Sequence, residues 1–191
     1  MNNRLIYPIL LISALIIVSG CATPARMTQM KAEPNSWTKA HTTTPLINSI
    51  SIKHVDGGKE TNRIGKSQIG NEAFKDALTI SLLDAELLAA GSNGAYALEA
   101  KIINVEQPTF GLNLTAVTNI QYTLTRVEDS NEIFSETIEA PYTAQFTDSL
   151  VGHARLKLAN EGSVRNNIAQ LIEKLYQLNI KPKTIAVALA N

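Results

Sequence analysis

Between residues 95 and 138 the chain alternates apolar and polar side chains in three successive runs, and on both sides of that block the apolar residues return every three or four positions instead. A period of two marks a strand with one face in a core, and a period near 3.6 marks a helix with one apolar stripe. In the first run Tyr96, Leu98, Ala100 and Ile102 oppose Ala97, Glu99 and Lys101, and Pro108 closes it. In the second, Ala116, Ile120, Tyr122 and Leu124 oppose Asn119, Gln121, Thr123 and Thr125. Glu128-Asp129-Ser130-Asn131 then predicts a hairpin turn into a third strand that carries Phe134 and Ile138. Upstream, Ile50, Ile52 and His54 alternate with Ser49, Ser51 and Lys53, which predicts one more strand. A helix starting at Ser67 or Asn71 carries Phe74, Ala77, Leu78, Ser81, Ala85 and Leu88 on one face, and Gly91 is its expected C′ residue. A second helix, residues 149–178, has its stripe at Val151, Ala154, Leu158, Val164, Ile168, Leu171, Ile172, Leu175 and Leu178, with Gly162 as a kink or break. The order of strand, helix, three strands and helix predicts an α+β fold: a mainly antiparallel sheet with both helices on one face. Phe74, Leu78, Tyr96, Leu98, Ile120, Leu124, Ile168, Leu171 and Leu175 are expected in its core.

The amino terminus carries a different signal. Arg4 is its only charge, and an apolar run extends from Leu5 to Val18, broken by Pro8 and Ser13. That is the n-region and h-region of a signal peptide, too short for a membrane span of roughly 20 apolar residues. Small residues and the chain's single cysteine follow.

Val18-Ser19-Gly20-Cys21 resembles the bacterial lipobox, where an aliphatic and two small residues precede a cysteine that is fatty-acylated and becomes the new amino terminus. The resemblance implies cleavage after residue 20 and a membrane anchor on Cys21. Two or more acyl chains, at about 0.8 kcal/mol per buried CH₂, make such an anchor stable. It also implies the outer membrane, since Ala22 stands where an aspartate retains enterobacterial lipoproteins in the inner membrane. The division expected is signal peptide 1–20, lipidated end and flexible tether 21–48, α+β domain 49–180, and carboxy-terminal tail 181–191. The tether, rich in Thr, Pro and Ala, holds Trp37 as its odd residue and would span roughly 30 Å as a random coil. The order of elements resembles the small β-α-β-β-β-α domains of several Gram-negative envelope lipoproteins, the lipopolysaccharide-assembly lipoprotein among them. Cys21 is the one functional residue that this likeness carries over.

Little chemistry assembles in the sequence. Seventeen basic residues balance seventeen acidic ones, which offers no field for nucleic acid. His41, His54 and His153 lie far apart and form no zinc spacing, so no metal or other cofactor is expected. Gly57-Gly58-Lys59 and Gly65-Lys66-Ser67 do not complete a phosphate loop, and Gly91-Ser92-Asn93-Gly94 is one residue short of a nucleophile elbow. Two surface candidates remain. His153, Arg155, Asn160, Glu161, Arg165 and Asn166 form a polar cluster on the last helix, where Glu161 and Arg165 are spaced to pair, and Phe110-Gly111-Leu112 forms an apolar loop tip. The function expected is non-enzymatic: a lipid-anchored protein facing the periplasm that serves as an envelope accessory or assembly factor through a protein partner. The alternatives are a periplasmic enzyme on an envelope glycan or lipid, and a carrier of an apolar ligand.

Overall fold

The computed structural model describes residues 22–34, 44–62 and 65–180. The signal peptide, Cys21, Trp37, His41 and the tail from residue 181 lie outside them. After a single turn, α1 (Met27–Met30), the order is β1 (Ile50–Asp56), α2 (Asn71–Asp84), β2 (Tyr96–Glu106), β3 (Leu114–Arg126), β4 (Asn131–Ala144) and α3 (Gly152–Gln177), with a 3₁₀ turn at Phe146–Asp148 before α3. The four strands form one sheet in the order β1-β2-β3-β4; β1 runs parallel to β2, and the other two pairs are antiparallel.

The alternating residues land where period two puts them. Tyr96, Leu98, Ala100, Ile102, Ala116, Ile120, Tyr122 and Leu124 are all buried beneath the helices, while Glu99, Lys101 and Gln121 face water. All nine expected core residues are buried. Pro141 sits in β4 without cost to the ladder because β4 is an edge strand.

Four local expectations change. In β1 the register shifts between Ile52 and His54, so His54 is exposed instead of completing an inward set. Helix α2 starts at Asn71, one of the two expected starts, but its N-cap is Gly70 and not Ser67 or Asn71; the Asn71 side chain turns back to accept the Gly58 N–H at 2.7 Å. It also ends earlier than Gly91. Glu86 takes the left-handed conformation at φ 57°, its N–H bonds the Leu83 carbonyl at 2.9 Å, and the Leu87 N–H bonds the Leu82 carbonyl at 2.9 Å. This is a Schellman close with Glu86 where glycine is usual, sealed by buried Leu82 and Leu87; Leu88 then bridges to Ile50. Finally, α3 runs unbroken through Gly162. A Cβ there would overlap the Tyr142 ring, so this glycine serves a close approach of helix to strand, not a bend.

The stretch read as a tether is not free over residues 22–34. Ala25, Met30 and Ala32 are buried in the main core, and the segment lies across α2 and α3. The Ala25 N–H bonds the Gln68 carbonyl at 3.1 Å, the Ala32 N–H bonds the Ser81 hydroxyl at 3.0 Å, and Lys31 pairs with Asp84 at 3.0 Å. The apolar residues that dock it follow neither period because one turn of helix flanked by extended chain has none. Backbone hydrogen bonds to α2 and to the chain before it do much of the holding.

Candidate functional site

The polar cluster on α3 divides into parts with different tasks. Glu161 is buried, with 1 % of its side chain exposed, and its partner is Arg26 of the docked segment, not Arg165. Its carboxylate accepts the Arg26 backbone N–H at 2.8 Å and Arg26 Nε at 3.1 Å. That hydrogen bond and charge hold the Arg26 guanidinium above its ordinary pKa. Arg165 also reaches the segment, donating from Nη1 to the Gln29 carbonyl at 2.8 Å while its guanidinium lies over the Tyr142 ring, 5.4 Å from the centroid. The expected intrahelical pair is therefore replaced by two clamps on residues 26–29. Removing one partner of a charge-assisted bond costs about 1.5–3 kcal/mol where the site is dry, and the half-exposed Arg26 places this pair at the lower end. Glu161→Ala should therefore free the segment locally, and trypsin should cut after Arg26 and Lys31 about tenfold faster while the folded core persists. Unchanged cutting would show that the backbone bonds alone hold it.

Asn160 is buried too. Its Nδ2 donates to the Ser67 carbonyl at 2.9 Å and its Oδ1 accepts from Gln107 at 3.0 Å; Gln107 also donates to the Ser67 carbonyl at 2.7 Å. The Ser67 hydroxyl in turn donates to the Thr23 carbonyl at 2.7 Å. Asn160 thus ties α3, the loop after β2 and the start of the docked segment into one knot. Asn166 is half-buried and caps the Pro141 carbonyl at 3.1 Å, a carbonyl on the edge strand.

Arg155 is 5 % exposed and joins the two loops at this end of the domain. It donates from Nη1 to the Ser149 carbonyl and from Nη2 to the Gly111 carbonyl at 3.2 Å, and its guanidinium lies 5.2 Å from the Phe146 ring centroid. Its Nε has no hydrogen-bond partner among the described residues. Between the loops runs an open groove of about 590 Å³ that includes Lys66, Phe110, Leu150, His153 and Arg155. His153 is exposed on its rim. Of the cluster, then, His153 alone stands fully in water; Arg155, Asn160 and Glu161 are spent inside the molecule.

One polar group was not expected. Asn160, Ser163 and Asn167 make a buried polar stripe on α3. The Ser163 hydroxyl accepts the Thr118 N–H at 2.9 Å and donates to the Ala140 carbonyl at 2.7 Å, so it stands between β3 and β4. Asn167 donates to the Ile138 carbonyl at 2.8 Å and to the Thr118 carbonyl at 3.2 Å, and accepts the Tyr122 hydroxyl at 2.9 Å. Burial pushes the Tyr122 hydroxyl's pKa up, which keeps it a donor. Every member is satisfied, as a buried network must be. The arrangement positions the helix and presents no group to solvent. Among the described residues no three His, Cys, Asp or Glu side chains gather as a cation site.

No protein family and no curated protein sequence matches this chain. Solved structures do. A Xanthomonas campestris protein of family DUF330 is similar with a TM-score of 0.53 at 13% identity, over 82% of this chain and 94% of that one. A candidate lipoprotein from Caulobacter crescentus aligns with a TM-score of 0.48 at 14% identity, over 69% of this chain and 90% of that one. The PelC dodecamer from Paraburkholderia phytofirmans aligns with a TM-score of 0.46 at 13% identity, over 71% of this chain and 91% of that one. All three are bacterial. At these identities the first likeness is one of fold, and the two weaker ones add nothing to it.

Proposed function

We propose that the chain is a lipid-anchored protein of the bacterial envelope, held at the outer membrane through Cys21, whose domain faces the periplasm and acts without chemistry of its own by binding another envelope protein. The lipobox-like sequence at residues 18–21, set directly after the apolar run, supports the anchor, and Ala22 supports the outer membrane. The observation that carries the reading is the docking of residues 22–32. The chain leaves position 21 and within two residues is hydrogen-bonded to the domain through Thr23 and Ser67. A domain fixed in this way meets a partner with its orientation already restricted, which lowers the entropy lost on binding. The polar face of the sheet, opposite the helices, is the surface left open to that partner; Gln121, Glu99 and Lys101 lie on it.

The test is one preparation of full-length protein from isolated envelopes, with a photo-crosslinking residue at Gln121 or, as control, at Leu83. Mass spectrometry should find residues 1–20 missing and acyl chains on Cys21, and position 121 should give a discrete protein adduct that position 83 does not. An intact amino terminus with unmodified Cys21 would overturn the anchor. An adduct-free position 121 would remove the partner from the sheet face.

A further inference from the structure

Five of the nine exposed large apolar side chains among the described residues, Phe110, Leu112, Phe146, Leu150 and Val151, lie on the two loops at one end of the domain. Phe110 is 89 % exposed and Leu150 78 %, well beyond what scattered surface residues need. These loops are held out, not slack. The Asn113 side chain accepts the Phe146 N–H at 3.0 Å, and Arg155 bonds the backbone of both loops. Lys66 and His153 line the groove between them, and Lys157 stands beside Thr23.

The same end of the domain receives the chain from the membrane. Thr23 accepts a hydrogen bond from Ser67 at its carbonyl and one from Lys157 at its hydroxyl, at 2.7 and 3.1 Å. Lys66, next to Ser67, reaches the carbonyls of Gln107 and Pro108 at 3.4 Å, immediately before Phe110. One residue of chain spans at most about 3.6 Å, so on the anchor reading a bilayer tied to residue 21 would lie within reach of Ala22. An acylated Cys21 and a retained apolar run would both put the membrane at this end.

The geometry points to a membrane-docking tip: Phe110, Leu112 and Leu150 enter the headgroup layer of the phospholipid bilayer to which residue 21 is tied, with Lys66 and Lys157 among its phosphates. Apolar side chains at the tip with cations set behind them is the pattern of an interfacial contact, where apolar burial and attraction to anionic headgroups add. The tip rests on the anchor reading only for the position of the membrane. It deepens that reading by giving the domain a second contact and hence a fixed tilt.

Full-length variants that keep Cys21 and carry an environment-sensitive fluorescent amino acid as the dye in place of Phe110 or Leu150, in vesicles of zwitterionic and anionic phospholipid containing nitroxide-bearing lipid, test it; the same substitution at Leu83, exposed at the far end of α2, is the control. Emission at 110 and 150 should shift to the blue and be quenched by the nitroxide lipid, while 83 shows neither. Dyes at 110 and 150 that remain quenched by aqueous iodide would overturn the tip. So would dyes shielded from iodide yet untouched by nitroxide, since a protein would then cover the loops. A mass spectrum of the same preparation separates the two claims: acylated Cys21 with water-exposed dyes defeats the tip alone, and unmodified Cys21 with lipid-quenched dyes defeats the acyl anchor alone.

Discussion

Gly162→Val is expected to cost about 3 kcal/mol of stability, a fall of roughly 10 °C in Tm for a domain of this size. In an ordinary exposed helix the loss of a glycine is a gain, since glycine lies about 1 kcal/mol below alanine in helix propensity. Here the gain is outweighed. The first added carbon would overlap Tyr142 at Cγ, Cδ1 and Cε1, atoms near the root of the side chain, and the ring is also held by the Arg165 guanidinium. The ring has little room to swing, so the helix must retreat, and Ser163 is drawn from its place between Thr118 and Ala140. Gly162→Ala should lose about 1 kcal/mol by the same balance. Gly152→Ala is the control, because a Cβ there meets nothing within 4 Å. Urea unfolding of the three variants checks the ranking; a Gly162→Val protein as stable as the parent would mean that the helix does not need its close approach.

Asn167→Ala should be as damaging for the opposite reason, a lack of atoms. It leaves the Ile138 and Thr118 carbonyls and the Tyr122 hydroxyl each short of a buried partner. Stranded buried polar groups cost about 1–3 kcal/mol each, and with partial relaxation a total of about 3–4 kcal/mol is expected. Against a total stability of roughly 5–15 kcal/mol, that approaches unfolding. The neighbouring Asn166→Ala removes one exposed bond to Pro141 and should cost under about 0.5 kcal/mol. Adding Tyr122→Phe to Asn167→Ala should recover part of the loss by deleting one stranded hydroxyl, a coupling that a double-mutant cycle reads directly. Equal effects at 166 and 167 would contradict the network.

These two residues mark where the sequence could and could not be read. Period two survives in β2 and β3 because one face of the sheet is covered and the other is not, so Leu98, Ile120 and Leu124 announce themselves. The helical stripe of α3 is legible for the same reason at Ile168, Leu171 and Leu175. Asn160, Glu161, Ser163 and Asn167 defeat the pattern: an apolar-versus-polar reading assigns them to water, and all four are buried. Their burial is licensed by partners 23 to 135 positions away, at Ala140 and Arg26 among others, which no local period encodes. Residues 22–34 were illegible for a related reason. Their apolar content is small, and their place depends on a groove between two helices that exists only after folding. The end of α2 is hidden from the sequence because Glu86, not a glycine, occupies the left-handed position that closes it.

The pairing of Arg26 with Glu161, separated by 135 residues, also sets an order of events. The hairpin of β3 and β4 closes over a short turn and can form as soon as both strands are present. Contacts of long sequence separation form late, because the chain between them must be organised first. The final helix, α3, is the last described element to be made, and until it is laid down the residues nearest position 21 have only α2 and the chain before it to dock on. The amino-terminal end of the described chain is therefore the last to be fully fixed. A chain arrested before α3 would hold this segment through α2 and the chain before it alone, and the Arg26–Glu161 clamp would close only on completion.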